Sequence, residues 1–106
     1  MSKPFLMKQN DTTPLRDILT GIGSGTISSA VISIQKAGAA SPAVSRATAT
    51  IVSATSPYTL EYDWSSGGNT TVGAFEYEWE CTFSDGTIST IPNDSNAKII
   101  VAKEIA

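Results

Sequence analysis

The sequence predicts a single all-β domain of short strands, arranged as a sandwich or barrel. Three observations lead there. Two segments, residues 58–64 and 73–83, alternate apolar and polar side chains with period two, the pattern of a strand with one buried face and one wet face. Clusters of Gly, Pro, Asn and Asp punctuate the chain at short intervals, as turns between strands do. No heptad, internal repeat or linker interrupts the 106 residues, so residues 1–106 read as one unit.

Residues 5–9 form a first short strand, followed by a polar turn over Asn10, Asp11, Thr12, Thr13 and Pro14. Residues 15–20 suit either a strand or one turn of helix, because their periodicity is ambiguous. Gly21, Gly23 and Gly25 then break regular structure and read as a flexible loop. They lack the Lys-Ser/Thr that would follow in a phosphate-binding loop. Residues 27–35 carry the β-branched Val31, Ile32 and Ile34 and form a strand. A small-residue loop with Gly38 and Pro42 leads to residues 43–54, one long weak strand or two short ones.

The strongest signals follow. Tyr58, Leu60, Tyr62 and Trp64 share one face, and Thr59, Glu61 and Asp63 the other. After a turn-rich loop with Gly67, Gly68 and Asn69, the rings of Phe75, Tyr77, Trp79 and Phe83 line up with Cys81. Ala74, Glu76, Glu78, Glu80 and Thr82 face the other way. The apolar row is expected to be core, each large side chain contributing about 1.5–3 kcal/mol when buried. Asp85-Gly86 supplies the positive-φ residues of a tight hairpin turn into residues 87–91. Pro92, Asn93 and Asp94 close that segment, and residues 97–102 form the last strand.

Composition narrows the function. Net charge is −3, which argues against nucleic-acid binding, since that needs clustered Lys and Arg. No Lys or Arg lies between Arg46 and Lys98, where Glu61, Asp63, Glu76, Glu78, Glu80, Asp85 and Asp94 gather. Such an acidic stretch serves as a solvated face or steers a basic partner. The apolar run at residues 5–7 is too short for a signal peptide or a membrane span. With no signal peptide, synthesis in the cytoplasm is expected.

Catalytic chemistry finds little support. The chain has no His, which removes the commonest general base and metal ligand. Cys81 is the one cysteine, so no internal disulfide forms, and without His it lacks the usual partner of a thiolate nucleophile. Glu76, Glu78 and Glu80 stand about 7 Å apart along one strand face. Together with Glu61 and Asp63 they form the candidate partner-binding face. The alternatives are a merely solvated surface, or a cation or carboxylate pair completed from other strands. No catalytic, cofactor or metal residues are assigned.

The order of motifs resembles the N-terminal domain of phage baseplate upper proteins. The opening Phe5-Leu6-Met7-Lys8-Gln9-Asn10-Asp11-Thr12-Thr13-Pro14 is similar to that family's apolar-Lys-Gln-Gly-Asp-Thr-x-Pro start, with Asn10 in place of Gly. Ile27-Ser28-Ser29-Ala30-Val31, Leu60-Glu61-Tyr62-Asp63-Trp64 and Gly73-Ala74-Phe75-Glu76-Tyr77-Glu78-Trp79 resemble three of its strands. Phe83-Ser84-Asp85-Gly86-Thr87 and Thr90-Ile91-Pro92-Asn93 resemble its hairpin and closing segment. Gly67-Gly68-Asn69-Thr70 departs from the family's Asp-Thr turn. The resemblance implies an immunoglobulin-like antiparallel β-sandwich of about seven strands and a non-enzymatic structural role in the virion, after assembly in the host cytoplasm. Its partners would be other virion proteins, baseplate and tail or major capsid protein, met as a symmetric multimer, with no nucleic acid, membrane or cofactor. Family members carry C-terminal extensions. Ending at Ala106, this chain is expected to be a free-standing module, including a capsid-decoration one. A carbohydrate- or cell-surface-binding module used in host adsorption is the alternative.

Overall fold

The computed structural model describes residues 4–65, 67–91 and 97–103, and the chain forms a β-sandwich. The strands are β1 (Phe5–Lys8), β2 (Leu15–Leu19), β3 (Ile27–Lys36), β4 (Val44–Thr48), β5 (Thr50–Ser53), β6 (Tyr58–Tyr62), β7 (Gly73–Phe83), β8 (Ile88–Ile91) and β9 (Ala97–Ala102). No helix occurs among the described residues. The closing turn at Pro92, Asn93 and Asp94 lies outside them.

The larger sheet runs β1-β9-β7-β3-β4, with β8 also on β7, and the smaller runs β2-β6-β5. The order β9-β7-β3-β4 over β2-β6-β5 is the G-F-C-C′ over B-E-D arrangement of the immunoglobulin fold. Two details correct the sequence expectation. The sheets are not wholly antiparallel, because β1 pairs parallel to β9, Leu6 opposite Ile100. A parallel pair needs a long connection, and here nearly the whole domain lies between the two strands. Nine strands stand where the resemblance implies about seven. β8 and β9 pair in succession along the same strand, Thr82 with Ile88 and Phe75 with Ile99. Residues 43–54 split at Ala49, whose N–H still reaches Ala30 O on β3, after which β5 joins β6 in the other sheet.

Residues 15–20 resolve to strand. All five residues of β2 pair in register with β6, from Leu15 with Tyr62 to Leu19 with Tyr58. Asp17 explains why this segment settles there. It points inward and accepts hydrogen bonds from Tyr77 Oη (2.8 Å) and Trp79 Nε1 (2.7 Å) on β7, tying the two sheets together.

The core is the apolar row the alternation predicts. Leu60, Ile32, Ile34, Cys81 and Ile99 are fully buried, and Trp79, Tyr58 and Tyr62 nearly so. Trp64 lies beyond the end of β6, with φ 66°, yet is still buried. That left-handed backbone is costly for a bulky residue. Burial and a bond from its Nε1 to Thr13 O (2.8 Å) hold it. The Gly21–Gly25 segment is an exposed loop, as the sequence suggests, anchored to the core at two points. Tyr58 Oη donates to Gly25 O at 2.9 Å, and a Cβ on Gly23 would sit 2.6 Å from Phe83 Cζ.

Candidate protein-interaction surface

The five acids proposed as one face occupy two. Outward residues of β7 lie on the outside of the larger sheet, so Glu76, Glu78 and Glu80 share that surface. Glu61 is on β6 and Asp63 just after it, on the far side of the sandwich. The alternation argument is local and assigns each acid to the outside. Only strand order decides which outside.

Three of the five are also neutralised. Lys98 Nζ meets Glu76 Oε2 at 3.0 Å across the β9–β7 pair. Arg46 reaches over β3 to Glu80 at 2.9 Å, and Arg16 on β2 meets Glu61 at 2.8 Å. Three basic residues from outside the acidic stretch, Arg16, Arg46 and Lys98, thus fold back onto it. Glu78 stays exposed, with no ion pair among the described residues. Asp63 is exposed and accepts the Ser65 N–H at 3.0 Å. Its carboxyl is held below the ordinary range by hydrogen bonding from the Ser65 side chain and backbone.

Beside the ion pairs lies an apolar strip that sequence reasoning missed. Leu6, Ile100 and Ala74 stand in one rung across β1, β9 and β7. Leu6 is 71% exposed, and Val72, 43% exposed, precedes β7. The available signal was the uninterrupted run Phe5-Leu6-Met7. In a strand its middle member must face away from the core that its neighbours enter. Met7 is indeed buried while Leu6 is not. A shallow, open depression on the same face is lined by Ser33, Gln35, Pro42, Glu76 and Glu78.

Cys81 is fully buried, and burial pushes its thiol up to about 11, the opposite of an activated nucleophile. The Tyr77 phenol is raised far above its ordinary range, chiefly by burial and then by the Asp17 carboxylate, so it remains a proton donor to that carboxylate. No family model and no curated protein matches the chain.

Proposed function

We propose that this chain is a non-enzymatic structural module of a phage particle, held to neighbouring virion proteins of the tail, baseplate or capsid surface through the outer face of its larger sheet. The observation that carries the reading is the outward rung Leu6–Ile100–Ala74, with Leu6 and Ala74 exposed and Ile100 half-buried, bordered by the Glu76–Lys98 pair. An apolar centre with a charged rim is the anatomy of a protein contact. The motif order that resembles baseplate upper proteins supplies the virion setting.

The rival reading, a carbohydrate-binding module, draws on aromatic rings that stack on sugars. Seven of the eight aromatic residues are buried at 6% exposure or less, and Phe5 is half-buried against Trp64. That arrangement favours the assembly module.

The test is mass spectrometry of gradient-purified particles from the phage that encodes the chain. The chain is expected in fixed ratio to the major structural proteins. Leu6→Lys is expected to lower its incorporation while leaving the soluble protein folded, because Leu6 is mostly exposed. A chain missing from purified particles, or a free monomer that binds host glycans, overturns the proposal.

A further inference from the structure

The first and last strands of the domain are tied to each other. β1 and β9 run side by side in the same direction, from Phe5 with Ile99 to Lys8 with Ala102. All the other described strand pairs are antiparallel. Gln9 N–H extends the ladder by one bond, to Ala102 O at 2.8 Å. The shared direction decides how the pair meets a load. A pull on the start of one parallel strand and a pull on the finish of the other point apart along the strands. Such forces at Pro4 and Lys103 slide β1 against β9, so the ladder bonds share the load and fail together. Antiparallel first and last strands would instead be opened from one end, one bond at a time.

Three features hold the pair. Met7, Ile99 and Val101 are buried, and a slip of one residue would turn Met7 out of the core, so burial opposes sliding as well. On its other edge β9 is gripped by β7, from Gly73 with Val101 to Tyr77 with Ala97. The far end of β1 is pinned. Asp11 Oδ2 accepts the Lys8 N–H at 3.0 Å. Asn10 N–H donates to Asn69 O at 2.7 Å, Asn69 Nδ2 to Asp11 O at 3.0 Å, and Gln9 Nε2 to Thr70 O at 2.9 Å. Residues 9–11 are thereby clasped to the loop before β7, and tension that reaches Lys8 finds no slack chain to draw out.

We propose that the β1–β9 pair is a shear clamp, which lets this domain carry tension applied between its two ends. Force entering at Pro4 crosses directly from β1 to β9 and leaves at Lys103. The strands between them in sequence are shielded until the pair fails. Mechanical strength and thermodynamic stability then have different sources. The Asp17 clasp between β2 and β7 stabilises the fold yet lies off this path. Its bonds are still intact when the clamp breaks, so its loss slows folding rather than speeding forced unfolding. The inference goes beyond the assembly reading, because it concerns the fold itself and holds wherever the module sits.

Single-molecule pulling on the full chain tests it. The Lys98→Cys protein is loaded in two geometries, so the substitution itself cancels. In one, handles at the two ends of the chain pull β1 and β9 past each other. In the other, the handles sit at the N-terminal end and at position 98, an exposed site next to Ile99, the partner of Phe5. That geometry opens the same pair from one end. Cys81 is buried and does not compete for the handle. At one loading rate the end-to-end rupture force is expected to exceed the other roughly twofold or more. In the otherwise unaltered chain, Asp17→Ala should lower the melting temperature and leave the end-to-end force nearly unchanged. Equal forces in the two geometries, or an end-to-end force that falls with Asp17→Ala as stability does, overturns the proposal.

Discussion

Asp17 faces inward from β2 and satisfies two aromatic donors with one oxygen. Replacing it with Ala strands the Tyr77 hydroxyl and the Trp79 N–H. The expected loss is about 2–4 kcal/mol, the cost of two buried donors without acceptors. Urea unfolding measures it, and a loss near zero would show that the clasp contributes nothing. The titration of the same region has a definite sign. Tyr77 and Cys81 both have folded pKa values raised above their unfolded values, near 10.0 and 9.0. Their contribution is whole below those values and is lost as pH rises, because the unfolded groups ionise first. Wild type should therefore weaken from about pH 9 upward. The Tyr77→Phe, Cys81→Ala double variant should show a shallower alkaline slope in thermal melts. At neutral pH the native Cys81 thiol should resist alkylation until denaturant is added. Asn10, with φ 65°, occupies a left-handed position where Gly and Asn are the residues with least strain.

At the scale of elements, the β7–β8 hairpin shows local chemistry choosing a turn. Only Gly86 takes positive φ, at 89°, so the connection is a three-residue loop with a left-handed Gly rather than a turn with two positive-φ residues. Phe83 N–H bonds Thr87 O at 2.8 Å, and Asp85 Oδ1 accepts from both the N–H and the Oγ1 of Thr87. Those bonds lower the Asp85 pKa below 3.8. A lowered carboxylate contributes above its unfolded pKa and loses that contribution as pH falls through the folded value. The stability gap between wild type and Asp85→Ala should thus narrow as pH drops below 3.8, which acid titration of both proteins would reveal. The loop between β2 and β3 makes a steric prediction. Gly23→Ala puts a methyl 2.6 Å from the buried Phe83 ring. It should cost about 1–3 kcal/mol by overpacking, and an unaltered melting temperature would count against that packing.

At the scale of the whole molecule, charge that is segregated along the chain is mixed in space. The three ion pairs are at least partly exposed, so each contributes no more than about 1 kcal/mol. Their larger effect is to leave Glu78 as the uncompensated acid among the described residues of its sheet face. Converting Glu76, Glu78 and Glu80 together to Gln should therefore barely change stability. Particle incorporation should fall less than with Leu6→Lys, because the apolar rung supplies the contact in the proposed assembly. Comparing the two variants in purified particles checks this, and the reverse ranking would move the contact to the acids.

The sequence by itself determined where most of the strands lie and, for residues 58–64 and 73–83, which side enters the core. β7 and β9 have the predicted limits, and every ring of the two alternating segments is buried. Alternation is a property of adjacent residues, so one chain suffices to read it. What only the tertiary structure decided is which strands are neighbours. That choice separated Glu61 and Asp63 from Glu76, Glu78 and Glu80, brought Arg46 to Glu80, and set Asp17 under Tyr77 and Trp79. Each of these depends on contacts between residues far apart in the chain, which local pattern cannot rank.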